Sequence, residues 1–228
     1  MDKEKKEVEK VKKFKFTKFI IIILLLYLFG FFIYELLLIP TKNIFISDNY
    51  YLTDQEIIDI SGLKNYPSFF FTTKLSIKNK LLKNNMIQSV EIKKEIFGKI
   101  YITVTENTPL FYNSITKETI LNNGKSISSS DYIVPVLTNE VDSEVYEKLV
   151  EKMATVDINV LSMISEIEYD PNDIDTERFL LTMNDGNFVY ITLTKISSLN
   201  EYIDILASVE GNKGILYLDS GNYFEILE

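Results

Sequence analysis

One stretch, Phe19 to Ile39 (FIIIILLLYLFGFFIYELLLI), constrains the whole chain: it is 21 residues long and carries a single charge, Glu35. At about 1.5 Å of rise per residue it makes a helix of about 31 Å, which matches the roughly 30 Å hydrocarbon core of a bilayer. A cleaved signal peptide is the main competitor, but its apolar region runs to about 7–15 residues and ends at a small-residue site. Here Leu38-Ile39-Pro40-Thr41 follows, with no such site. The stretch is therefore expected to be a retained transmembrane helix, residues 19–39. Glu35 is close enough to the exit to reach the interface. Gly30 has no small partner at four-residue spacing, so no helix-dimer motif is present.

Charge sets the expected orientation. Residues 1–18 carry eight lysines, among them Lys10, Lys12, Lys13, Lys15 and Lys18, against four acids. By the positive-inside rule this basic tail is cytoplasmic, and everything from Pro40 onward lies outside the plasma membrane. That outer part holds 16 basic and 28 acidic residues, a net charge of −12. Phosphate binding needs a basic footprint, so no nucleic-acid partner is expected.

The chain has no cysteine and no histidine. Disulfide scaffolds, Cys/His zinc sites, cysteine nucleophiles and Ser-His-Asp triads are excluded. Carboxylate-based chemistry survives this filter, with Asp185, Glu166 and Glu168 as nominees for a glycan hydrolase, yet nothing around them in sequence would raise a carboxyl pKa. The acidic run Glu166–Glu177 invites a calcium reading, but it lacks the glycine and the twelfth-position glutamate of an EF-type loop. Ser128-Ser129-Ser130 follows Lys125 in the wrong order for a Ser-x-x-Lys nucleophile. No catalytic residue, metal, cofactor or small-molecule substrate is expected.

After the exit linker, Ile44-Phe45-Ile46 reads as a short strand closed by the turn cluster Ser47-Asp48-Asn49. Thr53-Asp54-Gln55-Glu56 is a capping-box pattern opening a helix that Gly62 stops. Thr72 or Thr73 caps a second helix with Leu75, Ile77, Leu81 and Leu82 as its apolar positions. The aromatic trio Phe69-Phe70-Phe71 before it is expected in the core. Two alternating strands follow, framed by Ile87, Val90 and Ile92 and by Ile100, Ile102 and Val104, around a turn at Ile96-Phe97-Gly98-Lys99. Strand, helix, helix, strand, strand makes an α+β unit.

These residues carry a resemblance. The hairpin Ile87 to Lys94, followed by Ile100-Tyr101-Ile102-Thr103-Val104-Thr105-Glu106-Asn107-Thr108-Pro109, resembles the signature of the POTRA domain in the FtsQ/DivIB family of bacterial cell-division proteins. The Val-Thr-Glu-Asn-Thr-Pro run is its most specific part. Where the family often has a Gly-Asn step after the first strand, this chain has Ser47-Asp48-Asn49, and Asp and Asn both tolerate left-handed backbone. The resemblance implies a POTRA domain at 40–108 and a mixed β domain with flanking helices at 109–228.

The second half fits that outline. Strands are expected at Leu110–Tyr112, Thr119–Leu121, Lys125–Ser128, Ile164–Tyr169, Phe179–Met183, Phe188–Leu193, Gly214–Asp219 and Tyr223–Leu227, with turns at Asn122-Asn123-Gly124, Asn184–Asn187 and Ser220-Gly221-Asn222. Ile133–Leu137, with Pro135 inside it, suits an edge strand or connector. Asp142–Met153 is an amphipathic helix, and Thr194 is expected to cap another with Ile196, Leu199, Ile203 and Leu206 on one side.

The closing strand is the main candidate site: it is apolar on both faces and little chain follows to cover its outer edge, which leaves a template for strand addition. The resemblance implies the same place, because in that family the last strands and the preceding helix bind the bitopic partners FtsB/DivIC, which pair with FtsL. The positions here are Tyr217, Asp219, Tyr223, Phe224, Glu225, Ile226 and Leu227, with Ile196, Leu199 and Tyr202 nearby. The implied function is a non-catalytic scaffold at the division septum that recruits those partners for septal peptidoglycan synthesis. The alternatives are a POTRA-bearing translocation or envelope-assembly factor and a membrane-anchored hydrolase.

Overall fold

A computed structural model describes residues 16–96, 98–209 and 211–227. The lysines of the basic tail up to Lys15, and Phe97 in the hairpin turn, lie outside the described residues. Helix α1, Phe16–Leu37, has 22 residues, is apolar around its whole circumference and buries none of them against the rest of the chain. It is the one helix among the described residues long and apolar enough to cross a membrane. It stops two residues short of the expected Ile39, because Pro40 disfavours helical backbone before it. The chain instead ties itself to a loop: the Ser68 hydroxyl donates to the Leu37 carbonyl at 2.5 Å, the Phe69 amide to Ile39 at 2.9 Å, and the Thr41 amide to Pro67 at 2.9 Å.

Beyond α1, a three-stranded sheet has the order β1 (Asn43–Ser47), β3 (Lys99–Glu106), β2 (Ile87–Glu95), with β1 parallel to β3 and β2 antiparallel to it. Helices α2 (Asp54–Ser61) and α3 (Lys74–Leu81) pack on it. The capping box forms as written in the sequence: Thr53 accepts from the Glu56 amide and Glu56 accepts from the Thr53 amide. Asp48 takes the left-handed backbone expected of the turn, at φ 65°. Ile87 and Val90 are both buried despite their odd spacing, because a register shift between Ile87 and Ser89 turns the strand.

Two expectations fail here. Of the α3 positions only Ile77 and Leu81 are buried, while Leu75 and Leu82 are exposed; a helix of two turns presents one i, i+4 pair to a flat sheet. Of the aromatic trio only Phe69 packs on the core, and Phe70 and Phe71 are exposed. Three consecutive side chains cannot share one face.

The signature Glu106 has a structural task. Its carboxylate accepts three backbone amides from the turn just before α2, Tyr50 at 2.8 Å, Tyr51 at 2.7 Å and Leu52 at 2.9 Å. Asn107, buried, donates twice to the turn before β2: its amide to Met86 and its side chain to Asn85, both at 2.7 Å. The Thr-Pro step then delivers the chain into the second sheet.

That sheet has nine strands in the order β12, β11, β10, β9, β8, β7, β4, β5, β6. They are β4 (Pro109–Asn113), β5 (Glu118–Leu121), β6 (Ser126–Ile127), β7 (Val136–Leu137), β8 (Ile164–Tyr169), β9 (Arg178–Met183), β10 (Phe188–Thr192), β11 (Gly214–Tyr217) and β12 (Tyr223–Ile226). Leu121 joins the core of the smaller sheet, and the Asn85 side chain donates to Ser126 at 2.9 Å, so the two units share a packed contact. Helix α4 (Ser143–Met153) buries Val145, Leu149 and Met153 as its spacing demands, and a short α5 (Ile158–Leu161) follows it, unforeseen in the sequence.

Two further corrections concern this sheet. The Pro135 segment is not an edge strand: Ile133 to Pro135 form a connector with Ile133 exposed, and only Val136 and Leu137 pair, between β4 and β8. The helix expected from Thr194 begins as a 3₁₀ helix, Leu193–Glu201, and turns into α6 (Tyr202–Ser208). Leu193, Ile196, Leu199 and Tyr202 are all buried and spaced by three, the period of a 3₁₀ helix, while Ile203 faces out.

Candidate functional site: an open sheet edge

Strand β12 ends the nine-stranded sheet, antiparallel to β11, and no other strand among the described residues pairs with its outer side. The Leu227 amide donates inward to Lys213 at 2.9 Å. Antiparallel pairing repeats every two residues, so the amides of Tyr223 and Glu225 also point inward, and those of Phe224 and Ile226 line the open edge.

The two faces of this edge differ. On one, Tyr190, Tyr217 and Tyr223 stack across β10, β11 and β12, with centroids 5.5 and 4.6 Å apart. Arg178 on β9 extends the row, its guanidinium carbon 3.8 Å from the Tyr190 ring centre. The same guanidinium donates to Asp219 at 2.8 Å and to Asp170 at 2.5 Å, which joins the ends of three strands. Burial opposes ionisation of Asp219, yet its hydrogen bonds from Arg178 and Ser220 outweigh that and hold its carboxyl below the usual carboxylate range. Partial loss of solvent, with a hydrogen bond to Glu225, pushes the Tyr217 hydroxyl up.

On the other face Phe224 packs against the core, opposite Leu216, and Ile226 is exposed. Gly214 makes this possible. A Cβ there would lie 2.1 Å from the Glu225 carbonyl and 2.6 Å from the Phe224 ring. Only a residue without a side chain lets β12 lie this close.

Comparison with known proteins adds the following. The model of the POTRA domain, FtsQ-type, matches residues 39–107, the span from the α1 exit through β3 to Asn107. Cell division protein DivIB of Geobacillus kaustophilus is 27% identical over 214 residues, covering 87% of this chain and 82% of the relative. DivIB of Bacillus cytotoxicus is 29% identical over 195 residues (82% and 76%), and that of Bacillus subtilis 26% over 211 residues (86% and 80%). Residues 39–107 thus resemble an FtsQ-type POTRA domain, and most of the chain is similar to DivIB cell-division proteins. Among solved structures, the major extracytoplasmic domain of DivIB from Geobacillus stearothermophilus is 24% identical, covers 46% of this chain and 96% of that one, and superposes with a TM-score of 0.38.

Within this fold the predicted site residues separate into two groups. Tyr217, Asp219, Tyr223, Phe224, Glu225, Ile226 and Leu227 come together at the sheet end. Ile196, Leu199 and Tyr202 do not: they are buried in the main core, and the Tyr202 hydroxyl donates to Asp185 at 2.9 Å. Burial, reinforced by that bond, pushes the Tyr202 phenol far above its ordinary range. In this conformation these three side chains offer almost no surface.

Arg178 and Tyr190 were missed in the sequence. The signal was there for Arg178, which is the only arginine among 24 basic residues. A lysine cannot bond two carboxylates in one plane and also lie flat on a ring.

The carboxylates nominated for chemistry are otherwise engaged or isolated. Asp185 accepts from Tyr202 and from the Asn187 amide, while Glu166 and Glu168 lie on β8, away from it in the chain; in the acidic run, Asp175 accepts from the Glu177 amide. Among the described residues, no three Asp or Glu side chains gather as metal ligands would.

Proposed function

We propose that this chain is a single-pass, non-catalytic scaffold of the cell-division complex, whose open β12 edge receives a strand from an FtsB/DivIC-like bitopic protein paired with an FtsL-like one. In this reading residues 1–18 are the cytoplasmic tail, 40–108 form a POTRA domain that localises the protein to the septum, and 109–228 form the partner-binding domain. Recruitment of those partners then serves septal peptidoglycan synthesis. The observation that carries the reading is the free backbone edge at Phe224 and Ile226, beside an aromatic row ending at Tyr223. A backbone edge supplies affinity to an incoming strand, and the flanking side chains supply selectivity.

The test is co-purification of the full chain with its FtsB/DivIC-like partner. Ile226→Pro removes an outward amide at a place where an edge strand tolerates proline. It should abolish capture while leaving the near-ultraviolet circular dichroism of the tyrosines intact, and Tyr223→Ala should weaken capture. Wild-type capture by both variants would refute strand addition at this edge.

A further inference from the structure

The membrane-proximal end of the smaller unit carries a second feature, independent of the β12 edge. Three segments converge where α1 ends: the chain from Leu38 to Lys42, the loop 66–72, and the tip of the β2–β3 hairpin, whose Gly98 carbonyl accepts the Lys42 amide at 2.8 Å. At this junction Tyr66 is 52% exposed, Phe70 45%, Phe71 66% and Ile96 74%. Large apolar side chains so exposed and so close in space are uncommon on a water-facing surface.

The loop is held firmly. Lys94 donates to the carbonyls of Phe69 and Thr72, and its ammonium lies 4.1 Å from the Phe69 ring centre. Phe70 in turn meets Phe69 edge-on, with centroids 5.5 Å apart. The Phe71 amide donates at 3.3 Å to the Ser68 hydroxyl, which itself donates to Leu37, the last residue of α1. Phe71 is thus two hydrogen bonds from the end of a helix whose length is about 33 Å, slightly more than a hydrocarbon core. Whatever is bonded to that end sits in the headgroup layer, where exposed aromatic and apolar side chains settle at the acyl boundary.

We propose that Phe70 and Phe71 insert into the headgroup boundary of the bilayer that α1 crosses, so that the smaller unit rests on the membrane instead of swinging from the helix. The proposal rests on α1 spanning. Continuity of the patch with the spanning helix selects lipid as its occupant over a second copy or a protein partner.

The chain has no tryptophan, so single substitutions report cleanly. Full-length Phe71→Trp, Leu28→Trp in mid-helix, and Ile174→Trp at a position 98% exposed on the loop after β8 would be reconstituted separately into phosphatidylcholine vesicles with or without brominated acyl chains. Phe71→Trp should emit at shorter wavelength than Ile174→Trp and be quenched at least about twofold more strongly, as burial at the acyl boundary requires. Quenching of Phe71→Trp at the Ile174→Trp level, with Leu28→Trp strongly quenched, would refute the proposal alone and leave the patch to a protein. An unquenched Leu28→Trp would refute the spanning helix and the proposal with it.

Discussion

Replacing Arg178 tests whether the candidate edge is held rigid by a single side chain. Its side chain is 15% exposed and that of Asp219 12%, whereas Asp170 is 42% exposed. The Asp170 pair, at the rim, is worth about 0–1 kcal/mol. Stripping the partner from a fully buried carboxylate costs about 3–5 kcal/mol; Asp219 keeps some solvent and the Ser220 hydrogen bonds, which lowers that figure. Loss of the stacking on Tyr190 adds about 0.5–1 kcal/mol. Arg178→Ala should therefore cost about 2–4 kcal/mol, most of it from the stranded Asp219 charge. Arg178→Ala with Asp219→Asn should recover about 1–2 kcal/mol, because an amide is far cheaper to leave unpaired than a carboxylate. Urea titration of the full chain in detergent, followed by tyrosine near-ultraviolet circular dichroism, measures both. A depressed folded-state pKa means that the Asp219 contribution is whole above the unfolded value of about 4 and is lost as pH falls through the folded one. Wild type should accordingly lose stability faster than Arg178→Ala below about pH 4, and the two should converge there. A single-variant cost under about 1 kcal/mol, no recovery in the double variant, or parallel acid profiles would refute the reasoning.

Glu106→Gln leaves one acceptor oxygen where three amides now bind, so hydrogen-exchange protection at Tyr51, Leu52 and α2 should fall about ten- to a hundredfold, with β8 to β10 unchanged. Gly214→Ala drives a methyl group into the Glu225 carbonyl and Phe224, and should release β12 to limited proteolysis at a cost of about 1–3 kcal/mol. Thr53→Ala removes one half of the capping box and should destabilise α2 by about 0.5–2 kcal/mol, read from the same exchange experiment.

What could be read in the sequence was what short range decides. The apolar run of α1, the capping box at Thr53, the left-handed Asp48 and the amphipathic spacing of α4 each depend on a handful of neighbouring residues, and each formed. What failed depended on the partner surface. Phe70 and Phe71 are as apolar as Phe69, and only packing against the smaller core, which Phe69 alone reaches, distinguishes them. Pro135 suggests an edge strand or a connector; the residues up to the proline are a connector, and the two beyond it suffice to bridge β4 and β8. A period of 3.6 puts Ile196, Leu199, Ile203 and Leu206 on one side of a helix from Thr194, whereas the buried residues from Leu193 to Tyr202 recur every three.

The candidate site shows the same division more sharply. That β12 is an edge could be argued from its place in the chain order, and Tyr217, Asp219 and Tyr223 to Leu227 do meet there. Ile196, Leu199 and Tyr202 follow from the resemblance, which points to the helix before the last strands, and a resemblance at that level says nothing about which side of the helix faces the sheet. The two residues that make the edge, Arg178 and Gly214, were legible only by what they exclude. An arginine in a chain that otherwise uses lysine for every basic position marks a site where planar, two-pronged bonding is needed. A buried glycine inside a strand marks a backbone approach that a methyl group would forbid. Neither residue is exposed enough to be the main contact for a partner, so their part is to set the position and stiffness of β12. Strand addition gains affinity only when the receiving edge is already ordered, since a frayed strand would take the cost of its own ordering from the binding energy. Losses in binding from variants at Arg178 and Gly214 should therefore track the loss of β12 order, whereas those at Ile226 and Tyr223 should appear with the edge intact.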